Sequence, residues 1–309
     1  MANVEEKEKQ EIKNSHASNY SMKSFKNSFT LLFFLTQFLL SQATHAFDGD
    51  GLTLKSIAMN FDFSEFNETG SAVTEKGLIF GGELELGKGW GPLWMSINGQ
   101  FLKGEVDYDG FSQDKDGNIK SGHKTVTAET IFDTSVQVGR IYESWRRHDY
   151  ALIYAGAGFH QWARDIKSKG NVVGLFERYT WFYAHLGARG FLFRTSRSYL
   201  MVELNILRTF KPTMDVSFKV KDIDNARVSL GEHFGAKLSI PYRYEVKRWL
   251  HLYSEFFYEA WDLGESNSQI LRSGGFLDET ETAGGRTFKE PRSTSRFYGL
   301  KLGVFLKFD

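Results

Sequence analysis

The stretch LKLGVFLKF, residues 300–308, decides the fold of this chain. Its apolar residues recur at every second position: Leu300, Leu302, Val304, Leu306 and Phe308. The residues between them are glycine or lysine, except for Phe305. Because successive side chains of a β-strand point to opposite faces, the stretch predicts a strand with one apolar and one polar face. Such a strand fits an antiparallel sheet on a soluble core, and it equally fits the wall of a membrane barrel.

The composition favours the barrel. Aromatic residues make up 16% of the 309 residues, although the mean hydropathy is negative. A transmembrane barrel combines these properties, because half of each strand faces lipid, half faces a polar lumen, and aromatic rings mark both interfaces. The chain has no cysteine, which excludes a disulfide framework, thiolate metal sites and a cysteine nucleophile. Basic and acidic residues are equal in number, 38 each, so the net charge does not indicate nucleic-acid binding.

An apolar run over residues 30–40 has the features of a secretory signal peptide. Lys23 and Lys26 precede the run, and the small-residue segment 43–46 follows it. The polar residues before the run predict either that translation starts at Met22 or that the chain begins with a disordered extension. An exported chain without a spanning helix enters a membrane only as a closed barrel, because backbone polar groups in lipid must be paired. We therefore expect a non-native or disordered leader over 1–21, a signal peptide over 22–46 and an outer-membrane β-barrel over 47–309.

Period-two patterns predict ten strands after the signal peptide. They cover 52–63, 78–87, 92–107, 125–142, 150–163, 175–193, 199–210, 233–244, 250–261 and the closing stretch. The predicted connections alternate between long and short, beginning with a long loop over 64–77. Bacterial barrels have an even number of strands, short periplasmic turns and long extracellular loops. The pattern therefore predicts an all-β, transmembrane, antiparallel up-and-down barrel of about ten strands.

Three of the predicted strands break the regular alternation. In the first predicted strand the apolar residues change face near Ser56, which predicts a β-bulge there. Similar slips in the fourth and sixth strands leave eight or twelve strands as alternatives to ten.

The closing stretch resembles the C-terminal signal by which bacterial outer-membrane β-barrels are recognised for insertion. Lys301, Gly303, Leu306 and Phe308 fill the positions of that signal. Asp309 departs from it, because the aromatic residue is usually the final one. The resemblance implies a bacterial outer-membrane location, with membrane lipids, lipopolysaccharide and the barrel assembly machinery as partners.

Charged side chains fall on the predicted inward faces of the strands. The main candidates are Glu83, Glu85, Glu129, Asp133, Glu203, Glu255, Glu259, Arg189, Lys237 and Arg243, joined by Lys55, Arg178 and Lys301. We interpret them as a network of paired charges that fills a narrow lumen, with a charged conduction path as the alternative. Eight strands already enclose a lumen that side chains fill, so ten leave little space. Inward glycines such as Gly156, Gly158 and Gly187 predict room for a narrow water path.

The strand number resembles that of the omptin family of outer-membrane proteases. Those enzymes carry an Asp pair on the second outer loop and an Asp-x-His on the fourth, which together activate water. Asp107 and Asp109 lie at the start of the second predicted outer loop, and Glu232 and His233 lie in the fourth without forming an Asp-x-His. The resemblance therefore implies Asp107, Asp109 and His233 as a partial catalytic set, with an ordinary acidic loop stem as the simpler interpretation.

No cofactor or metal site is predicted. The oxygen-rich segment 114–118 lacks the downstream Glu of a calcium loop and is interpreted as a solvated turn. The segment 290–296 is similar to the closing segment of small, porin-like outer-membrane barrels. The sequence therefore predicts a non-enzymatic protein: a narrow porin-like channel, or a structural or surface-interaction protein whose outer loops bind an extracellular ligand. An omptin-like protease is the alternative.

Overall fold

A computed structural model describes residues 50–67, 70–113, 119–143, 150–219, 225–271 and 286–308. The predicted leader, the predicted signal peptide and the segment 114–118 lie outside the described residues. Across the described ranges, no helix is long and apolar enough to cross a membrane.

Ten long strands form the wall of a closed barrel. They are β1 (Gly51–Asn67), β2 (Gly70–Trp90), β3 (Leu93–Gln113), β4 (Ile119–Glu143), β5 (Tyr150–Ile166), β6 (Phe176–Arg194), β7 (Ser198–Ser217), β9 (Phe234–Lys247), β10 (Leu250–Leu263) and β13 (Arg292–Lys307). The short strand β8 (Ala226–Ser229) pairs with β7, and β11 (Gln269–Leu271) pairs with β12 (Arg286–Phe288). Every wall strand is antiparallel to its neighbours, and β13 closes the sheet on β1. The predicted count of ten is confirmed.

The connections distinguish the two ends of the barrel. At the short-turn end, β2 and β3 are joined by residues 91–92, and β9 and β10 by residues 248–249. At the other end, here called the loop end, the connection between β10 and β13 covers 264–291. The predicted long loop over 64–77 is wrong, because β1 and β2 are separated there only by residues 68–69. The wall continues here as strand, with Ser64 and Thr74 on its outside and Glu65 and Glu75 pointing inward.

The outer surface carries an apolar belt. Exposed leucines and valines such as Leu204 and Leu238 lie in the belt, as predicted. An outer ring of aromatic residues borders it towards the loop end: Phe101, Phe132, Phe159, Phe182, Phe234, Tyr258 and Tyr298. Tyr142, Phe193, Tyr244 and Trp249 lie near the short-turn end. In β13 the belt runs from Tyr298 to Leu306, which matches the roughly 9–11 residues of a transmembrane strand.

Beyond the outer ring, the polarity of the wall is inverted. On β1, Phe61 and Phe63 point inward and are buried, whereas Asp62 and Ser64 lie on the outside. The pairing of β1 with β2 and with β13 is continuous past Ser56, so the predicted bulge is wrong. The strand stays regular. Its inward side chains change from Lys55 to the apolar Ile57 near Ser56, and its outward side chains become polar at Asn60, which pairs with Tyr298 of the outer ring.

Candidate functional site

Aromatic rings close the lumen at the short-turn end, in a layer that we call the inner seal. Trp94, Leu152 and Tyr154 pack together there and are each about 1% exposed. Nearer the closing strand, the guanidinium of Arg243 lies 4.0 Å from the centre of the Phe305 ring. This contact explains why Phe305 lies on the otherwise polar face of the closing stretch, because the face of an aromatic ring attracts a cation.

The middle of the lumen holds a network of ion pairs, the ion-pair layer. Lys55 Nζ lies 2.7 Å from a carboxylate oxygen of Glu83 and 3.0 Å from one of Glu85. Lys301 Nζ lies 2.5 Å from the other oxygen of Glu83 and 3.4 Å from Glu255. Both lysines are buried. The two lysines therefore share the carboxylate of Glu83. These ion pairs offset the free-energy cost of removing the charges from water.

Further polar pairs complete the ion-pair layer. Arg189 lies 2.8 Å from Glu203. The ring nitrogen Nδ1 of His160 lies 2.9 Å from Asp133, and the Tyr183 hydroxyl donates to the other oxygen of Asp133 at 2.8 Å. These contacts join the neighbouring strands β4 to β7, and Arg189 also lies 3.8 Å from Glu85 of β2 across the lumen.

The structure brings most of the predicted lumen charges together. Ten of them line one cavity: Glu83, Glu85, Asp133, Glu203, Glu255, Glu259, Lys55, Arg189, Lys237 and Lys301. Arg243 lies in the inner seal, and Glu129 lies closer to the loop end. The inward placement of Arg178 is wrong, because its side chain is on the outer surface, 3.0 Å from Asp215.

The cavity in the ion-pair layer is small, about 80 Å³. That volume is large enough for ordered water molecules among the charged side chains. The space beside the inward glycines does not form a path. A side chain at Gly156 would meet the ring of His185, and one at Gly158 would meet the ring of Tyr183.

Above the ion-pair layer, aromatic rings form an apolar plug that we call the upper core. The rings of His160 and Trp181 are stacked with their centres 4.2 Å apart, and those of Trp162 and Tyr179 are 4.8 Å apart. Phe61 packs edge-on against Trp162 at 5.6 Å. The side chains of all five residues are buried. The upper core lies where the outer wall becomes polar, so this part of the barrel has the polarity of a soluble protein.

A fully buried arginine, Arg164, lies at the loop end of the upper core. Its Nη1 atom lies 2.6 Å from Glu177 and 3.1 Å from Glu65, and its Nη2 atom lies 3.1 Å from Glu75. The guanidinium also lies 4.2 Å from the centre of the Phe63 ring. One positive charge therefore faces three carboxyl groups in an aromatic enclosure.

Two more carboxyl groups join this group, which we call the outer cluster. Trp162 Nε1 donates to Glu129 at 2.5 Å, and the Tyr179 hydroxyl donates to Glu290 at 2.7 Å. Burial raises the pKa of Glu129 and of Glu290 well above the usual range. Burial also raises the pKa of Glu177 to about 7, and the neighbouring carboxyls Glu65 and Glu75 add to that effect. A single guanidinium cannot neutralise five buried carboxyl groups, so several of them bind protons.

The outer cluster was not predicted from the sequence, because most of its members fall in predicted loops. A usable signal was present nevertheless. Arg164 is two residues from Trp162, and Glu177 is two residues from Tyr179. In a strand, residues two apart share a face, so these pairs place a charge among large aromatic rings.

The residues of the omptin-like set do not meet. Asp107 and Asp109 are exposed on the outside of β3, where Asp109 lies 3.2 Å from Lys124. His233 precedes β9, where its backbone N–H donates to the Thr209 hydroxyl. Five steps along the sheet separate β3 from β9 in either direction, which places the two strands on opposite sides of the barrel.

The four residues of the predicted insertion signal have different surroundings in the structure. Lys301 belongs to the ion-pair layer, and Gly303 shares its inward face. Leu306 lies on the outward face of β13. The backbone N–H of Phe308 donates to the carbonyl of Asp50 at 3.0 Å, which ties the last described residue to the first.

Comparison with known proteins yields only distant structural likeness. No protein-family model matches the chain, and no curated protein sequence matches it. The translocator domain of the autotransporter NalP from Neisseria meningitidis is 9% identical, with a TM-score of 0.40 over 96% of this chain and 98% of that one. The β-domain of the Bordetella autotransporter BrkA is 8% identical, with a TM-score of 0.37 over 84% and 100%. The toluene transporter TodX of P. putida is 10% identical, with a TM-score of 0.33 over 85% and 91%.

Proposed function

We propose that this protein is an integral barrel of a bacterial outer membrane with a non-enzymatic, structural or surface-interaction role, and that its lumen is closed. One observation supports this above all others. The inner seal, the ion-pair layer and the upper core fill the lumen in succession, and the cavity among them has a volume of only about 80 Å³. A porin needs a continuous aqueous path, whereas these layers suit a barrel that acts through its loop end.

The membrane location rests on the belt and on the predicted signal peptide. With the short turns in the periplasm, the outer cluster and the long connections face the outside of the cell. Fractionation of expressing cells tests this placement. We expect the mature protein in the outer membrane, with migration on gels that changes on heating, as for a barrel held by closed strand pairing. Recovery in the soluble periplasm would contradict the proposal.

Conductance in planar bilayers tests whether the lumen is closed. We expect the refolded protein at pH 6 to insert and to give little or no steady conductance. An open porin reconstituted in the same lipid supplies the control for insertion and detection. A large, steady conductance from the wild-type protein would show instead that the ion-pair layer lines a path, and the porin-like channel would replace the closed barrel.

Among the described residues, the candidates for a protease site, Asp107, Asp109 and His233, do not come together. A water-activating base and its partner need to lie within hydrogen-bond reach of each other or of one shared water. Asp107 and His233 lie on opposite sides of the barrel, and Asp107 points away from the lumen. We therefore expect no cleavage of dibasic peptides, with or without lipopolysaccharide. Cleavage abolished by both Asp107→Ala and His233→Ala would favour the protease.

A further inference from the structure

Three buried polar atoms lie in one row of the sheet, on the short-turn side of the ion-pair layer, and none has a hydrogen-bond partner among the described residues. They are the hydroxyl oxygen of Ser96 on β3, Oε1 of Gln137 on β4 and Nε2 of His185 on β6. The sheet register places Ser96 beside Gln137, Gln137 beside Gly156 of β5, and Gly156 beside His185. Ser96 is about 1% exposed and His185 about 7%. Buried polar atoms are ordinarily paired, so three neighbouring exceptions point to a ligand that pairs with them.

The missing side chain of Gly156 makes the space for this ligand. The ring of His185 occupies the position that a side chain at Gly156 would take, so the ring crosses from β6 to β5. Its Nε2 atom therefore lies over Gly156, next to Gln137 in the row. His185 and Gln137 both line the cavity of about 80 Å³. The cavity is polar and large enough for a water-sized ligand that contacts both side chains.

Both side chains present hydrogen-bond acceptors to this space. Asn205 Nδ2 donates to Glu203 at 3.4 Å, and Asn205 Oδ1 lies 3.3 Å from Nδ1 of His185. Because an amide oxygen only accepts, Nδ1 carries the ring proton and Nε2 presents a lone pair. Oε1 of Gln137 is likewise an acceptor. A ligand that fits between them therefore donates hydrogen bonds.

The cavity also carries more negative than positive charge. Six carboxyl groups and four cationic side chains of the ion-pair layer line it, which leaves two negative charges when all are ionised. His160, whose Nδ1 lies 2.9 Å from Asp133, offsets one of them when it is protonated. Arg243 is directed instead at the rings of Phe305 and Tyr253. One monovalent cation neutralises the remaining charge, in a place where an unpaired charge is costly.

We propose that this cavity binds one ammonium ion between His185 and Gln137. Ammonium is small, carries the missing positive charge, and donates hydrogen bonds in four directions without accepting any. Water also donates but leaves the charge uncompensated, and the potassium ion has nearly the size of ammonium but no hydrogen to donate. Among the described residues, no group of acidic and histidine side chains is arranged to hold a metal ion. The inference goes beyond the proposed function, since it depends on the geometry of the lumen and not on the membrane that surrounds the barrel.

Equilibrium unfolding of the refolded barrel in urea at pH 7 tests the site. A ligand that binds only the folded state multiplies the folded-to-unfolded ratio by one plus its concentration divided by its Kd. Ammonium chloride is varied from about 1 to 100 mM, a range wide enough to show this dependence. Choline chloride keeps the ionic strength constant. A parallel series uses potassium chloride, so that the two series differ in hydrogen-bond donors and hardly in ionic size.

We expect the folded-to-unfolded ratio to rise by up to about tenfold for each tenfold increase in ammonium above its Kd, and much less with potassium. Gln137→Met and His185→Phe each remove one acceptor. Each should lose most of the ammonium dependence, whatever its stability without ammonium. Gln161→Met is the matched control, because Gln161 lies on the outer face of β5 beside Phe132. It should keep the ammonium dependence of the wild type.

Proton–nitrogen correlation spectra with ¹⁵N-labelled ammonium give a direct readout on the wild type. A bound ion should show its own signal, separate from that of free ammonium, and unlabelled ammonium should displace it whereas potassium should not. Heat-modifiable migration shows that each chain has formed its barrel. If the two lumen variants do not fold, this signal and the comparison of the two cations still decide the question.

The ammonium site is wrong if ammonium, potassium and choline change the folded-to-unfolded ratio equally. It is equally wrong if both lumen variants keep the full ammonium dependence. Such a result, together with a lumen that does not conduct, would remove this site and leave the proposed function intact.

Discussion

Lys301 of the last strand and Glu83 of the second strand form an ion pair of 2.5 Å across the inside of the barrel. The strand between them is β1, which pairs with both β2 and β13. The pair therefore crosses the seam where the first and last strands meet. The pair adds a side-chain link between β2 and β13 to the backbone hydrogen bonds that join β1 to both strands.

Loss of this ion pair should destabilise the barrel. Lys301→Met leaves Glu83 with Lys55 as its remaining close cation, and truncating one partner of a buried pair costs about 3–5 kcal/mol. Urea unfolding from lipid vesicles measures the change in the free energy of unfolding. Lys103→Met is the control, because Lys103 is exposed on the outer wall, and we expect less than about 1 kcal/mol there. Equal losses for the two variants would show that the seam does not depend on the pair.

The apolar belt predicts where a new charge is tolerated on β7. Leu204→Arg places a charge on the lipid face within the belt, at a cost of about 2–4 kcal/mol. Thr213→Arg places it on the outside of the same strand beyond the outer ring, where it meets water. We expect a loss below about 1 kcal/mol for the second variant. Unfolding of the two proteins from the same vesicles tests this difference, and the reverse order would place the belt elsewhere.

The inverted polarity of β1 makes a related prediction for apolar truncation. Phe61 is fully buried in the upper core, so Phe61→Ala should cost about 3–5 kcal/mol. Phe66 lies on the outside of the same strand and is 39% exposed, so Phe66→Ala should cost far less. Unfolding free energies decide between them. A larger loss at Phe66 would mean that the faces beyond the outer ring are assigned the wrong way round.

The outer cluster should make stability fall as the pH rises. Burial raises the pKa of Glu177 to about 7, above its value in an unfolded chain. Its contribution to stability is therefore complete below the unfolded pKa of about 4.5 and is lost as the pH rises to about 7. Denaturant midpoints between pH 4.5 and 8 measure the decline, which for one proton is at most about 1.4 kcal/mol per pH unit.

Glu177→Gln should flatten this decline, because a glutamine does not titrate. Glu105→Gln is the control, since Glu105 is exposed on the outside of β3. A decline of the same size in both variants would assign the pH dependence to other groups.

The sequence predicted the barrel and much of its lumen because lipid imposes a simple rule within the belt. There, alternation alone separates Leu204 from Glu203 and Leu238 from Ser239, and the structure places each on its expected face. Beyond the outer ring the rule is reversed, since water surrounds the wall and apolar side chains fill its interior. Glu75 and Arg164 were therefore assigned to loops, although both lie in strands and face the lumen.

The outer cluster also depends on closure of the sheet. Glu65 and Glu290 are far apart in the chain and approach one another only because β1 and β13 are neighbours. Period-two patterns report faces within one strand, and they carry no information on which charges from different strands meet. Arg164 could be recognised as an inward charge from its spacing to Trp162, but its three carboxylate partners follow only from the paired strands.

The change of faces on β1 near Ser56 also bears on how the chain tolerates mutation. On one side of that level, polar substitutions should be accepted at inward positions and rejected at outward ones. On the other side the preference should be exchanged, within a strand whose backbone geometry does not change. A deep mutational scan of β1 would then show two complementary alternating patterns. The inward preference should change at Ser56, where the ion-pair layer gives way to the upper core, and the outward preference should change at Asn60, beside Tyr298 of the outer ring.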